Sequence, residues 1–321
     1  MLDMPPLQHA DLPGLRMGYY EAGPESDPTP IVLLHGWPEL AFSWRHQIHA
    51  LSAAGCRVIA PDQRGYGATP GPEAVEDYDL EHLTGDIVHL LDHLKIDKAI
   101  VVGHDWGGFV AWGFPMRHPS RAAGVVGINT PHLPRPPVDP IALFRQRFGD
   151  SMYIVRFQDP AREPDRIFAE NVEKLFDFML RKPPPARGAG GGPINLDFPS
   201  IVAAYDPARD PRPSIVSPEE KAVFVEAFKR TGFTGGINWY RNFTRNWERS
   251  ADLDSTIRVP CLMITAELDA VLPPAMSAGM EKLIPDLERH LVKGSGHWTQ
   301  QEFPDEVSQT ILDWRRRRFP A

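Results

Sequence analysis

The chain has 321 residues, 42% of them apolar and 24% charged, proportions of an ordinary globular protein and a length suited to one large domain or one domain with a sizeable insertion. A formal net charge of −8 argues against nucleic acid or an anionic membrane as a partner, and the chain lacks the run of about 18 uncharged apolar residues that membrane insertion needs. Cys56 and Cys261 both sit inside apolar runs and read as buried thiols. The start "MLDMPPLQHADLPG" lacks the basic and apolar regions of a signal peptide, so a reducing cytoplasmic location is expected.

In the first part of the chain short apolar runs alternate with helical patterns. "PIVLLHG", "CRVIAPD" and "KAIVVGHD" are continuous and β-branched, as strands covered on both faces of a parallel sheet should be. Between the last two, "DLEHLTGDIVHLLDHLKI" sets Leu83, Ile87, Leu90, Leu91 and Leu94 at helical spacing with Asp79 as N-cap. "GFVAWGFPMRHP" predicts a helix interrupted by Pro115, and "AAGVVGINT" a further strand. This is βαβ architecture, a doubly wound, mostly parallel α/β sheet. The rhythm stops at "PHLPRPPVDP". From about residue 135 to 250 the chain reads as helical and aromatic. "RIFAENVEKLFDFMLRK" is amphipathic, and "SPEEKAVFVEAFKR" opens on a capping box of Ser217 and Glu220 with Pro218 at the first helical position. Strands resume at "VPCLMITAELD" and "LERHLVKGSGHW", and "FPDEVSQTILDWRRRR" closes the chain as a helix. The expected organisation is therefore a core in two parts, residues 1–134 and 251–321, interrupted by a helical lid over 135–250. The low-complexity patch "RGAGGGP" reads as a mobile lid loop.

The chemistry is carried by "VVGHDWGGFV". A strand enters the glycine-bracketed turn Gly103-His104-Asp105-Trp106-Gly107 and leaves into a helix, the G-x-S-x-G nucleophile elbow with aspartate in place of serine. In such hydrolases an acid and then a histidine follow on loops after later strands, and "AELDAVLPP" and "SGHWTQ" supply Asp269 and His297 at strand ends. Glu267 competes for the acid role; Asp269 lies deeper in the loop. A carboxylate needs no base to become nucleophilic, since it is ionised at neutral pH. His297, oriented by Asp269, is then free to activate water against the ester that Asp105 forms. The ester carbonyl becomes an oxyanion in that second step. The backbone amides of Trp37, in "LLHGWPE", and Trp106 are positioned to receive it. Pro38 in this loop is a candidate for a cis peptide bond.

The electrophile follows from the leaving group. A halide leaves without help, whereas an epoxide oxygen leaves as a basic alkoxide and needs a proton donor opposite the nucleophile. A neutral phenol suits that task at pH 7. "DSMYIVRFQDP" and "GFTGGINWYRNFTRNW" place Tyr153 and Tyr240 in the lid. At these residues, and at "HGWPE", "GHDWGG", "AELDAVLPP" and "GSGHW", the sequence resembles the epoxide hydrolases of the α/β-hydrolase fold, over nearly the whole chain. The resemblance implies that Tyr153 and Tyr240 polarise the epoxide oxygen and that Asp269 is the acid. It also implies that Glu39 helps to order the hydrolytic water. The expected activity is conversion of a small-molecule epoxide to a vicinal diol, with no cofactor and no metal, by a monomer or homodimer. A haloalkane or haloacid dehalogenase with the same Asp-His-Asp core, and a ligand-binding member of the fold without catalysis, are the alternatives.

Other features read as structural. His89 and His93 are four apart, a spacing two metal ligands can share, but with His82 and Asp86 they form the polar face opposite the leucines, expected to be solvated. His104 reads as a packing and hydrogen-bonding residue. Tyr19, Tyr20, Tyr66, Tyr78 and Tyr205 read as packing residues. Arg315 to Arg318 end a helix, where cations meet the dipole favourably. "DQRGYGATP" lacks a P-loop pattern, so no phosphate cradle is expected.

Overall fold

The computed structural model describes residues 4–184 and 195–320. Eight strands form one sheet: β1 (Leu7–Leu12), β2 (Leu15–Ala22), β3 (Ile31–Leu34), β4 (Val58–Pro61), β5 (Ala99–His104), β6 (Ala122–Ile128), β7 (Cys261–Ala266) and β8 (Leu287–Val292). Their order across the sheet is β1-β2-β4-β3-β5-β6-β7-β8. The β1–β2 and β2–β4 pairs are antiparallel, and from β4 to β8 the pairs are parallel. Every residue of β3, β4, β5, β6 and β7 is buried. Their side chains divide between two cores by the two-residue period of a strand. Val32, Leu34 and Val101 face one core, and Ile31, Leu33, Ile100 and Val102 the other. Helices Leu80–His93 and Trp106–Arg117 cover the first face, and Arg45–Ala53 and Pro304–Arg318 the second.

The sequence expectations for the parallel strands hold, while β1 and β2 carry no assignment there. The reason is local: β1 is an edge strand with four exposed residues of six, so no apolar run marks it. Asp79 caps its helix by accepting from the amides of Glu81 and His82, and Ser217 and Glu220 form the capping box. Three expectations need correction. The helix Trp106–Arg117 runs through Pro115 without interruption, because the proline lies in its last turn and costs one hydrogen bond near an end. "RIFAENVEKLFDFMLRK" is two helices, Glu163–Glu170 and Val172–Met179, parted at Asn171 with φ −127°. The polar face of Leu80–His93 is not solvated throughout. Asp86 is buried and takes a two-pronged pair from Arg64, Nε at 2.8 Å and Nη2 at 2.6 Å.

Between β6 and β7 the described residues form eight α-helices, from Pro140–Phe148 to Phe243–Arg249. The "RGAGGGP" patch lies outside the described residues. This helical segment is tied to the sheet domain at several points: Arg45 donates to Glu220 at 2.8 Å, Arg245 to Asp79 at 2.8 Å, and the amide of Leu80 to Asn246 Oδ1 at 2.7 Å. The terminal arginines pair with Asp27, Asp286, Glu288 and Asp313. Cys56 and Cys261 are free and buried. No described helix is long and apolar enough to cross a membrane.

Candidate active site

From β3 the chain steps outward to β4 and then returns to place β5 on the other side of β3. A crevice opens at the carboxyl ends of strands where the order reverses in this way, and the loop after β3 and the turn after β5 both end there. Asp105 takes φ 49° and ψ −119° between β5 and the helix Trp106–Arg117, a strained conformation for an L-residue. Glycine makes the turn possible: a Cβ on Gly107 would lie 2.0 Å from the Leu34 carbonyl oxygen. The hydroxyl of Thr130 holds the Asp105 carbonyl at 2.7 Å. The loop after β3 contains the cis peptide bond Trp37–Pro38.

The Trp37 amide donates to Asp105 Oδ1 at 2.7 Å, and the Trp106 amide lies near enough to the same carboxylate to favour its ionised form. Asp105 Oδ2 lies 3.7 Å from His297 Nε2. On the other edge of that ring Nδ1 donates to Asp269 Oδ2 at 2.9 Å. Asp269 accepts three further bonds: from Asn129 Nδ2 at 2.6 Å and from the amides of Val271 and Leu272 at 2.8 and 3.0 Å. Glu267 instead accepts the Gly294 amide and stands outside this chain of contacts.

These surroundings set the charges. Burial pushes the Asp105 carboxyl up, and the neighbouring His297 and His104 pull it partly back. Burial alone would raise Asp269 too, yet His297 and its hydrogen bonds hold it well below the usual carboxylate range. Burial would lower the His297 imidazole, but the charges of Asp269 and Asp105 overcome it and raise it to about 9. The imidazole is therefore cationic at neutral pH, and its charge favours the ionised form of the Asp105 carboxyl that faces it.

Tyr153 begins the short helix Tyr153–Arg156, and Tyr240 lies in Thr234–Arg241. Their rings are 6.0 Å apart, and the Tyr240 ring packs edge-on against Trp106 at 4.9 Å and Trp37 at 5.7 Å. Burial, then the charge of Asp105, raises both phenols above their ordinary value, so both keep their proton at neutral pH. Of the tyrosines read as packing residues, Tyr66 is the most enclosed, edge-on to Trp239 at 5.4 Å.

The expectation that Glu39 orders water meets a carboxylate that is already full. Oε1 accepts from Gln300 and Gln301 at 2.9 and 3.1 Å, and Oε2 from the Gly36 amide and His104 Nδ1 at 3.1 and 2.8 Å. Four donors occupy the lone pairs of a carboxylate. His104 Nε2 in turn lies 2.7 Å from the His297 carbonyl oxygen, so Glu39 and His104 pack against the backbone that carries His297. The same buried network continues through Gln301 Oε1 to Arg45 Nη1 at 2.9 Å and from Arg45 to Glu220.

Sequence reasoning missed Asn129, Thr130, Gln300 and Gln301. Polar residues directly after an apolar strand, as in "GINT", mark Asn129 and Thr130; the glutamines carry no local signal. His89 and His93 are joined by no third ligand, since no metal-holding group of His, Cys, Asp and Glu occurs among the described residues.

The model of the alpha/beta hydrolase fold family matches residues 29–304. The chain is 42% identical to epoxide hydrolase A of Mycobacterium tuberculosis, over 95% of each chain. It is 39% identical to the bifunctional epoxide hydrolase 2 of Mus musculus, where it spans 54% of that protein's length and 94% of its own. Among solved structures, epoxide hydrolase A of Mycobacterium thermoresistibile superposes with a TM-score of 0.85 at 36% identity, over 97% of this chain and 98% of that one. An elbow bearing aspartate, an Asp-His pair behind it and two phenols beside it thus occur in a chain whose likeness to these proteins runs nearly end to end. The chain belongs to the epoxide hydrolases of the α/β-hydrolase fold.

Proposed function

We propose that this protein opens a small-molecule epoxide to a vicinal diol in two steps, through an ester of Asp105. In the first step Asp105 Oδ2 attacks a ring carbon. The carbon–oxygen bond breaks toward the ring oxygen, which takes a proton from Tyr153 or Tyr240. In the second step water attacks Cγ of the ester and His297 Nε2 takes the water proton. The oxyanion formed on Oδ1 is met by the amides of Trp37 and Trp106. Collapse breaks the bond between Cγ and the alkyl oxygen. That oxygen takes the proton from His297, and the Asp105 acid left behind passes its remaining water proton to His297, which restores both the carboxylate, now with one oxygen from water, and the resting imidazolium. The proton that this imidazolium gives up before the second step reprotonates the tyrosinate through solvent. Residues 135–250 act as the lid that carries both phenols. Asp269 orients His297, Glu39 steadies its backbone from below, and the reaction needs neither metal nor cofactor.

One observation supports this division of labour above the others: His297 Nε2 stands 3.7 Å from Asp105 Oδ2 while its other nitrogen is bound to Asp269. The distance is longer than a hydrogen bond. Forming the ester removes the anion that helps keep His297 protonated, so the imidazole becomes a base at the step that requires one. The raised phenols support an epoxide over a halide as substrate, since they remain neutral donors.

The His297→Gln variant tests the reading. Incubated with styrene oxide, it is expected to gain the mass of one epoxide, located on the Asp105 peptide, with diol turnover reduced on the order of 10² to 10⁴-fold. A variant that loses turnover without accumulating the adduct contradicts the assignment. Halide release from haloalkanes by the wild type, without diol from epoxides, would favour the dehalogenase reading.

A further inference from the structure

Gln158 ends the "YIVRFQ" segment and is half-buried. Its Nε2 lies 3.0 Å from the Ile154 carbonyl oxygen and 3.0 Å from the Tyr240 carbonyl oxygen. Both acceptors belong to the ends of the helices that carry the two phenols. The Ile154 carbonyl would take the Gln158 amide in a continuing helix, but that amide turns to Val155 at 3.1 Å. Tyr240 lies in the last turn of Thr234–Arg241, where carbonyls run out of intrahelical donors. A primary carboxamide nitrogen has two hydrogens and no charge, which is what two neighbouring carbonyls require.

We infer that Gln158 is a positioning residue that sets the spacing of Tyr153 and Tyr240 by joining the two helices through one amide nitrogen. Gln158 and Tyr240 are 82 apart in sequence, and the Phe157 ring beside Gln158 packs against the same two phenols, 5.0 Å from Tyr240 and 5.5 Å from Tyr153. Leucine takes this donor away from both carbonyls, and an ionised glutamate opposes them with like charge. A protonated glutamate restores one of the two donors.

This inference rests on the phenols acting as proton donors in ester formation, so the experiment reads that first. Single-turnover kinetics with styrene oxide, followed by the quench of tryptophan fluorescence, give ester formation and ester hydrolysis separately. Tyr153→Phe and Tyr240→Phe should each slow ester formation; if neither does, the reading of the phenols fails whatever Gln158 does. Where they do, Gln158→Leu is expected to slow ester formation on the order of tenfold while ester hydrolysis stays within about twofold. Gln158→Glu is expected to approach wild type as pH falls from about 8 to about 5.5, because its carboxyl regains a hydrogen. Should the leucine variant not fold, the glutamate variant decides by that pH trend alone. Equal loss in both steps, no loss in either, or a glutamate variant whose ratio to wild type is flat with pH overturns the inference.

Discussion

Asp105 and Asp269 are carboxylates at the ends of parallel strands, yet their surroundings move them in opposite directions. Asp269 is saturated with donors and held far down, whereas Asp105 takes the Trp37 amide on Oδ1 and turns Oδ2 toward His297. The first is held as an anion; the second is left, on the proposed mechanism, with a free lone pair for attack. His297 follows from both, raised to about 9 by their charges. Neutral imidazole, the form that takes a proton from water, grows as pH rises. Ester hydrolysis measured in single turnovers should therefore increase with pH through an apparent value below about 9, lower than in the resting enzyme because Asp105 is by then uncharged. A hydrolysis rate that falls over this range speaks against His297 as base. Tyr240→Phe should lower the rate of ester formation on the order of 10²-fold and leave ester hydrolysis nearly unchanged, read in the same experiment. Of these residues, Asp105, His297 and Asp269 were legible because a nucleophile elbow and strand-end loops have local patterns. Asn129, Gln158 and the partners of Glu39 were not, because their roles rest on hydrogen bonds between segments remote in sequence.

The helix Thr234–Arg241 brings Tyr240 against Trp106, next to Asp105 in the chain, and glycine decides how closely it sits. A Cβ on Gly235 would lie 2.6 Å from the Gly65 carbonyl oxygen, so two backbones touch where "TGGINWY" meets "RGYG". Gly65 of "DQRGYGATP" thus serves this close approach of two backbones. Gly235→Ala should push the helix outward, cost roughly 1 to 3 kcal/mol in urea unfolding and slow ester formation. Unchanged stability and rate would show that the contact yields without consequence. Elements were readable wherever burial imposed a period: the parallel strands and the capped helices. The N-terminal hairpin lacked an apolar run, and the break at Asn171 lay inside a continuous amphipathic pattern that one bent helix would produce equally well.

Across the molecule the sheet domain and the helical segment over it are joined by buried charge. Arg45, its side chain 1% exposed, bridges Glu220 on one side and Gln301 on the other, and through Gln301 reaches Glu39 and the backbone of His297. Glu220→Ala leaves Arg45 without its anion and is expected to cost about 3 kcal/mol of stability in urea unfolding; a cost near zero would mean that solvent replaces the pair. The switch point between β3 and β5 then gathers the Trp37 amide from the loop after β3, Asp105 from the end of β5 and the phenols of Tyr153 and Tyr240 from the helices inserted after β6. Each part has an assigned task only if the carboxylate of Asp105, and not water, opens the ring. A single turnover in water enriched in heavy oxygen measures this directly. The account predicts a first diol carrying only unlabelled oxygen, with label appearing in Asp105. Label in the diol of that first turnover, with Asp105 unlabelled, would contradict it.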